Sequence, residues 1–319
     1  MKEYSLGIDT SNYKTSVAIV DKNDNIIYDE RIFLTVPEGA LGLRQQDALF
    51  QHIENLPGLL KGAVDAAADG TIVAVSASNK PRPINGSYMP CFIAGENQCK
   101  VIASFLGCQD NYFSHQEGHL AAASRYTELK DKDEYIFFHF SGGTTEILKY
   151  KKGDISILGG SLDISFGQLL DRVGSKMDFS FPAGARLDQL AYEYSPEETY
   201  KNLLPVIKIK NLEFNVSGIE TAAIKLIGEI DNRSLAFMLM ERVQDCIERI
   251  IKAAAKESGT EDFLFAGGVS ASTFIRNRMD VFGKNNENLI LHFSEPELSS
   301  DNAVGIAFLG GDRFWRASL

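Results

Sequence analysis

The chain has 319 residues, of which 44% are hydrophobic and 24% are charged. These fractions are typical of a globular protein, and the length is sufficient for two domains. The net charge of −11 argues against an extended nucleic-acid surface, because such surfaces carry a basic stripe. No run of about eighteen apolar residues is present, so the sequence predicts no transmembrane helix and no membrane partner.

The N-terminal sequence MKEYSLGIDTS enters a predicted strand at once and lacks the features of a signal peptide. The cysteines, Cys91, Cys99, Cys108 and Cys246, form no C-x-x-C pair. Thiols in this arrangement are typical of a reducing compartment. The sequence therefore predicts a cytoplasmic protein.

The first part of the chain begins with a predicted strand–turn–strand in SLGIDTSNYKTSVAIVD and a third strand in IIYDERIFLTV. A helix is predicted over 45–67, with a break at Pro57-Gly58. A buried strand at 71–78 and helices over 92–106 and 115–125 follow.

The strand–turn–strand signature starts again near residue 134, in EYIFFHFSGGTTEILKY, and DISILGGS adds a third strand. Helices are predicted over 161–180 and 186–194, from FNVSGIET onward, and over 232–258. FLFAGGVSAS reads as a strand, a glycine turn and the start of a helix. LILHFS is the last predicted strand, and 301–315 the last predicted helix.

A three-strand unit followed by helices therefore occurs twice. This plan is that of the duplicated actin- and hexokinase-like ATPase fold (ASKHA), an α/β fold with two lobes and a central nucleotide cleft. We expect an N-terminal lobe over 1–133 that carries the histidine pair, and a C-terminal lobe over 134–319 that carries the phosphate and ribose motifs. The alternative is two unrelated α/β domains, and the matching glycine turns favour the duplication.

The segment SHQEGHL suggests a metal site. His115 and His119 are four residues apart, so both imidazoles lie on one helix face. Asp301, in ELSSDNAVGIA at the predicted start of the last helix, is the best third ligand. Two histidines and one carboxylate with open positions suit iron(II) or zinc. The alternative is a chance pair, with one imidazole packed or capping and the other solvated.

Two glycine-rich turns suggest phosphate binding. Ser141, Gly142 and Gly143 lie in the hairpin SGGTTE, where glycine lets backbone amides approach an anion. Gly267 and Gly268 in AGGVSAS end a strand and lead into a helix, a common way to hold a nucleotide. Taken alone, each turn has an alternative interpretation as an ordinary hairpin or a closely packed β–α turn.

A third segment, LDISFGQLLDRVGSKMDFSFPAGARLDQLA, alternates aspartates with glycines. Asp163, Gly167 and Asp171 recur every four residues and share one helix face. An aspartate on this face can accept a hydrogen bond from a ribose hydroxyl. Gly184 opens another turn and Asp188 follows one helical turn later. The alternative is a solvated helix face.

In this order, the motifs resemble those of one family, the TsaD-type tRNA threonylcarbamoyladenosine transferases, formerly the glycoprotease family. The H-x-E-G-H helix of that family is HQEGH here, and its S-G-G-H-T-E turn is SGGTTE. Its D-D-A-A-G-E-A-F-D-K segment stands as DISFGQLLDR, and its Y-P-G-G-P as FPAGA. Its F-S-F-S-G-L-K-T stands as FNVSGIET, its G-G-V-(A/S)-A-N as GGVSAS, and its S-D-N turn is unchanged. The resemblance covers nearly the whole chain.

The resemblance implies that His115, His119 and Asp301 bind one divalent metal, iron or zinc. It implies that ATP or an acyl-adenylate is bound by ten residues: Ser141, Gly142, Gly143, Gly167, Asp171, Gly184, Asp188, Gly267, Gly268 and Ser272. The implied reaction passes a threonylcarbamoyl group from its adenylate to an adenine amine of tRNA. The implied partners are tRNA and helper subunits such as TsaB-like or TsaE-like proteins.

The chain departs from the family pattern at its first turn. The family reads G-I-E-T-S-C-D-E-T, and this chain reads G-I-D-T-S-N-Y-K-T, so Tyr13-Lys14 replaces an acid pair. Asp9 and Lys14 are the candidate catalytic residues of this turn. Further departures are Thr144, Ile164 and Ser272. We interpret the chain as a divergent paralogue whose metal residues are intact.

Two alternative functions remain open at this stage. A carbamoyltransferase acting on a small-molecule acceptor suits the acidic composition. A non-catalytic nucleotide-binding partner in a tRNA-modifying complex suits the loss of the acid pair. A metalloprotease is disfavoured, because Gln116 follows the first histidine where H-E-x-x-H has its general base. Lys80 and Arg82, in a loop that replaces a glycine-rich stretch of the family, either serve an anionic ligand or are solvated.

Overall fold

The computed structural model describes residues 1–36, 43–196 and 201–317. The chain divides into two compact units: unit 1 is Met1–Tyr126 with Asp301–Leu319, and unit 2 is Thr127–Ser300. The sequence prediction placed the boundary at residue 133 and assigned the last helix to the second lobe. The observed division differs because that helix packs on the sheet of unit 1.

In each unit, three consecutive strands precede the first α-helix, and further helices and strands follow. The strands are β1 Lys2–Thr10, β2 Lys14–Asp21, β3 Ile26–Phe33, β4 Gly70–Lys80, β5 Gln109–Ser114, β6 Glu134–Phe140, β7 Thr145–Lys151, β8 Asp154–Ser161, β9 Ile209–Lys210, β10 Glu213–Phe214, β11 Asp262–Ala266 and β12 Ile290–Phe293. The helices are α1 Gln45–Ala66, α2 Phe92–Leu106, α3 His115–Ser124, α4 Phe166–Lys176, α5 Gly184–Glu193, α6 Ser217–Leu226, α7 Asn232–Ser258, α8 Thr273–Lys284 and α9 Val304–Ala317.

The sheet of unit 1 has the order β3-β2-β1-β4-β5, with β4 and β5 parallel to β1. Side chains on a strand alternate between the two faces of a sheet. Leu6 and Ile8 of β1 pack with α1 and α2 in one hydrophobic cluster. Ser5 and Gly7 face the opposite side, where the Ser5 hydroxyl donates to the Ala307 carbonyl of α9 at 2.7 Å.

Unit 2 repeats this topology within a sheet of order β12-β11-β6-β7-β8-β10-β9. Strands β6, β7 and β8 form an antiparallel meander, and β11 and β12 run parallel to β6. The order β8-β7-β6-β11-β12 therefore repeats β3-β2-β1-β4-β5. Aromatic side chains fill its core, and the rings of Phe138 and Phe265 stack at 4.9 Å between centroids.

Most predicted elements are confirmed, including α7 over 232–258. The predicted break in the first helix is wrong, since α1 runs through Pro57. Leu56, Leu59 and Ala63 keep its buried face against the sheet on both sides of the proline. Strand β5 was not predicted, because QDNYFS is polar and forms an edge strand paired with β4. Within the described ranges, no helix has the length and hydrophobicity of a membrane span.

Candidate functional site

The metal-helix motif begins with a capping box. The Ser114 hydroxyl accepts a hydrogen bond from the Glu117 amide at 3.1 Å, and the Glu117 carboxylate accepts one from the Ser114 amide at 2.6 Å. These bonds satisfy two backbone donors that the start of a helix leaves free. His115 is consequently held at the first position of α3. Glu117 acts as a cap, which also argues against a protease role for the motif.

The three predicted metal ligands converge in unit 1. Nε2 of His115 and Nε2 of His119 are 3.0 Å apart, and Nε2 of His119 is 3.1 Å from Oδ1 of Asp301. Donor atoms of all three residues lie within 4.8 Å of one another. Asp301 precedes α9 by three residues, so it lies in the preceding turn and not at the start of the helix as the sequence suggested.

Two glycines allow the turn of Asp301 to approach α3. A Cβ atom added to Gly305 of α9 would lie 1.8 Å from the Gly118 carbonyl oxygen. A Cβ atom on Gly118 would lie 2.9 Å from the Ile306 side chain. Helices pack this closely only where small residues face each other. Gly118, the glycine of HQEGH, therefore has a packing role beside the two histidines.

Asp9 contacts the nitrogen of His115 that does not face the other two predicted metal ligands. Its Oδ1 atom lies 2.9 Å from Nδ1 of His115 and accepts a hydrogen bond from the Ser78 hydroxyl at 2.5 Å. The Asp9 side chain has 0% exposure. A carboxylate on one imidazole nitrogen fixes the ring orientation and leaves the other nitrogen for a metal. The sequence analysis did not identify Ser78 as a site residue. The signal was present, because Ser76 and Ser78 lie two residues apart in a buried strand and so share one polar face.

The surroundings shift the pKa values of the two imidazoles in opposite directions. Burial alone lowers the pKa of His115, but the carboxylates of Asp9 and Asp301 raise it to about 10. Burial and the neighbouring His115 lower the pKa of His119. Burial raises the pKa of the Asp301 carboxyl, but hydrogen bonds from both histidines bring it well below its usual range. Imidazole and carboxylate donors thus converge at one point, and this donor set fits iron(II) or zinc.

Lys14 lies on the same sheet as Asp9 but has a different environment. Its side chain is 9% exposed, and its Nζ atom lies 4.7 Å from the ring centroid of Phe33. Burial lowers the pKa of Lys14, while the charge of Asp301 acts in the opposite direction. Tyr13, the other half of the departed acid pair, is 47% exposed. The structure therefore places Lys14, and not Tyr13, in the interior near the metal ligands.

The loop after β4 contacts the start of α3, where the Gln116 amide donates to the Pro81 carbonyl at 3.1 Å. Lys80 pairs with Ser114 between β4 and β5. The sequence departure at this loop therefore lies beside the metal helix. A role for Lys80 or Arg82 with an anionic ligand remains a prediction.

The predicted phosphate turn connects β6 and β7 in unit 2. The Ser141 amide donates to the Thr144 carbonyl at 2.8 Å, which closes the turn. A Cβ atom on Gly167 of α4 would lie 2.4 Å from Cα of Gly142, so α4 rests directly on the turn. Cβ atoms built on Gly142 and Gly143 would meet no heavy atom of the described chain within 4 Å. The turn is therefore open on that side.

Two of the predicted nucleotide residues, Asp171 and Asp188, serve as helix caps. Asp163 lies before α4, which begins at Phe166, so the prediction that it shares a helix face with Asp171 is wrong. Oδ1 of Asp171 accepts from the amides of Ala183 and Gly184 at 2.8 Å and 3.2 Å, at the start of α5. The carboxylate of Asp188 accepts from the Ser272 hydroxyl and from the first amides of α8. Such caps stabilise helix ends. Nucleotide binding by either aspartate remains a prediction.

The glycine turn of AGGVSAS lies beside the predicted phosphate turn. Gly267 has φ +98°, and a Cβ atom on it would lie 2.3 Å from the Phe140 carbonyl oxygen. That oxygen accepts a hydrogen bond from the Val269 amide at 3.0 Å. The turn therefore packs on the end of β6, directly before Ser141. Through these contacts, unit 2 gathers all ten predicted nucleotide residues into one contiguous region.

A comparison with protein families decides the classification. Residues 48–308 match the model for TsaD, described as tRNA N6-adenosine threonylcarbamoyltransferase. The chain belongs to the TsaD family. A protein of that description from Neorickettsia sennetsu is 30% identical over 97% of this chain and 93% of its own length. One from Methanopyrus kandleri is 27% identical over 96% of this chain and 86% of its own length.

Solved structures confirm the fold of this TsaD-family chain. T. kodakarensis HypF aligns over 99% of this chain and 48% of its own, with a TM-score of 0.61 and 13% identity. An activator of 2-hydroxyisocaproyl-CoA dehydratase from Clostridium difficile with bound ADPNP aligns over 99% and 97%, with a TM-score of 0.55 and 12% identity. A Streptomyces griseus ROK glucokinase in complex with glucose and AMPPNP aligns over 96% and 99%, with a TM-score of 0.52 and 12% identity. The duplicated actin- and hexokinase-like ATPase fold is thereby confirmed.

Proposed function

We propose that this TsaD-family chain is a metal-dependent, nucleotide-binding transferase that passes a threonylcarbamoyl group from its adenylate to adenine of tRNA. The observation that carries the proposal is the convergence of His115, His119 and Asp301, with His115 held by the buried Asp9. An oriented set of two imidazoles and one carboxylate leaves coordination positions open for a substrate.

The nucleotide is proposed to bind at the contiguous region of unit 2. Open glycine turns present backbone amides to a phosphate without a Cβ atom in the way. Gly142 and Gly143 have this character, and Gly268 also has open space where a Cβ would stand. The Clostridium difficile activator has bound ADPNP and the Streptomyces griseus glucokinase is in complex with AMPPNP, which supports an adenine nucleotide as the ligand of this chain.

The proposed reaction needs no side-chain nucleophile. The adenine amine attacks the carbamoyl carbonyl carbon, a C–N bond forms, the bond from that carbon to the phosphate oxygen breaks, and AMP leaves. The amine proton passes to water or to the departing phosphate. An iron(II) or zinc ion held by His115, His119 and Asp301 would supply Lewis-acid polarisation of the carbonyl. Asp9 keeps Nε2 of His115 available to that ion, and Ser78 holds Asp9 in place.

The proposed setting is the cytoplasm, with tRNA as the acceptor and partner subunits that help to bind it. The net charge of −11 leaves little positive surface for tRNA on this chain alone. TsaB-like and TsaE-like proteins are the proposed partners. Free thiols at Cys91, Cys99, Cys108 and Cys246 are consistent with a reducing compartment.

The test is complementation of cells depleted of their own TsaD-type enzyme, with threonylcarbamoyladenosine in bulk tRNA measured by mass spectrometry. We expect rescue by the parent chain and none by its His119→Ala variant. A paired Tyr13-Lys14→Asp-Glu variant shows whether the altered first turn limits the reaction. No rescue by parent or paired variant, with both folded and metal-loaded, would contradict transfer to tRNA.

One alternative is favoured by a specific observation. The buried Lys14 places a cation near Asp301, where the resemblance implies an acid pair. This change suits a different acyl donor or acceptor, such as carbamoyl transfer to a small molecule. Release of AMP from carbamoyl-adenylate without modified tRNA, lost in His119→Ala, would support that alternative.

A further inference from the structure

Lys14 and Asp9 share one face of the sheet of unit 1. In the β1–β2 ladder, Asp9 lies directly opposite Ser16. Lys14 precedes Ser16 by two residues, so its side chain leaves the same face and is a diagonal neighbour of Asp9. Asp9 in turn holds His115. The strand register therefore places the Lys14 side chain on the face of the sheet that carries Asp9, close to the metal ligands.

The Lys14 ammonium lies within reach of the charges of Asp301, Asp29 and Asp9 but has no direct ion-pair partner among the described residues. The side chain is 9% exposed, and the ring of Phe33 lies on one side of it. Among residues 1–36, 43–196 and 201–317, no carboxylate lies within ion-pair distance of its Nζ atom. Burying a charge without a partner is costly. A ligand that places an anionic oxygen in direct contact with this ammonium would offset the cost.

A bound metal would further favour such an anionic ligand. Asp9 and Asp301 oppose the Lys14 ammonium, and the nearby Arg31 and Asp29 pair with each other. The side chains alone therefore carry one net negative charge when both imidazoles are neutral. A divalent ion would make the same set positive. Clustered positive charges in a desolvated site attract anions. The metal-loaded site of this chain is therefore complementary to a carboxylate or a phosphate.

We propose that Lys14 is a specificity-determining residue that, together with the metal held by His115, His119 and Asp301, binds an anionic oxygen group of the acyl donor. In threonylcarbamoyl-adenylate, the threonyl carboxylate and the adenylate phosphate share this chemistry. The identity of the donor rests on the proposed function, whereas the anion-binding role rests on the position and burial of Lys14.

A double-mutant cycle tests the proposal with the metal-loaded full chain. The proteins are the parent and Lys14→Met. The probes are a non-hydrolysable analogue of threonylcarbamoyl-adenylate and the same analogue without the threonyl carboxylate, measured by calorimetry. If Lys14 pairs with the threonyl carboxylate, Lys14→Met should bind the first probe about 10- to 100-fold more weakly than the parent and bind the second probe equally well. If Lys14 pairs with the adenylate phosphate, the affinity of Lys14→Met should fall by a similar factor for both probes.

Three further measurements separate an effect of the Lys14 charge from a general structural effect of the substitution. Lys14→Arg retains the charge and should recover most of the affinity. Lys100→Met is the matched control, since Lys100 also lies over an aromatic ring, that of Tyr112, but on α2 and paired with Glu96. Metal titration of Lys14→Met should show affinity at least about threefold tighter, because a neighbouring positive charge has been removed.

Equal affinities of parent and Lys14→Met for both probes would overturn the role of Lys14 and leave the proposed function intact. Reduced metal affinity in Lys14→Met would also overturn it, since Lys14 would then stabilise the site structurally. Absence of binding of either probe by the parent would overturn both proposals. If affinity depends on Lys14 but complementation fails, the role of Lys14 stands and only the proposal that tRNA is the acceptor is contradicted.

Discussion

Nδ1 of His115 lies 2.9 Å from a carboxylate oxygen of Asp9, a residue 106 positions away in the sequence and completely buried. This contact orients the imidazole so that its Nε2 atom points to His119 and Asp301. The second Asp9 oxygen is buried and has no hydrogen-bond partner among the described residues. Asp9 thereby links the first strand of the chain to the metal helix.

Asp9→Asn is expected to weaken metal binding about 10- to 100-fold, because an amide holds the imidazole less firmly and does not raise its basicity. Competition with a chromophoric chelator measures the change. Asp69→Asn is the control, since Asp69 pairs with Lys2 at the surface. Unaltered affinity in Asp9→Asn would show that the contact does not support the ligand.

His119→Ala is expected to abolish stoichiometric metal, because it removes one of three converging donors. Metal content after gel filtration is measured by inductively coupled plasma mass spectrometry. His292→Ala serves as the control, since His292 contacts Asp262 in unit 2. Equal metal content in His119→Ala and the control would exclude the proposed centre.

Gly143→Arg is expected to lower ATP affinity at least about tenfold while the protein stays folded. A Cβ atom at Gly143 meets no heavy atom of the described chain within 4 Å, so the side chain would occupy the space proposed for phosphate. Calorimetric titration gives the affinity. Gly58→Arg in α1 is the control, as its Cβ atom also has open space. The same ATP affinity in both variants would place the phosphate elsewhere.

Asp163→Ala is expected to destabilise the protein in a pH-dependent manner. Burial raises the pKa of Asp163, but hydrogen bonds from Ser217, Val216 and Ile164 lower it to about 2. A lowered carboxyl pKa contributes stability above the unfolded value near 3.8, and this contribution is lost as the pH falls towards 2.

Urea unfolding at pH 7 should show Asp163→Ala less stable by about 1 kcal/mol, the usual effect of a lost helix cap. The partial exposure of this carboxylate limits the effect, because water screens its interactions. At pH 2 the variant and the parent should differ less, since the parent carboxylate is then half protonated. A difference that does not change between pH 7 and pH 2 would contradict the charge-based argument.

Much of the fold follows from local sequence patterns. The repeated strand–turn–strand signature and the matching glycine turns were sufficient to predict the duplication, and the 3.6-residue periodicity was sufficient to predict α7. The break predicted at Pro57 was wrong because the packing of one helix face outweighed the local effect of proline. Strand β5 was missed because its sequence is polar and because it pairs with β4, which comes from another part of the chain.

The sequence by itself determined the pairing of His115 with His119, because four-residue spacing on a helix is a local property. Only the tertiary structure decided how Asp9 and Asp301 reach those histidines, because their approach depends on the packing of β1 and α9 against α3. It also decided the burial of Lys14. Side-chain environment depends on residues distant in sequence, whereas turn chemistry and periodicity depend on neighbours along the chain.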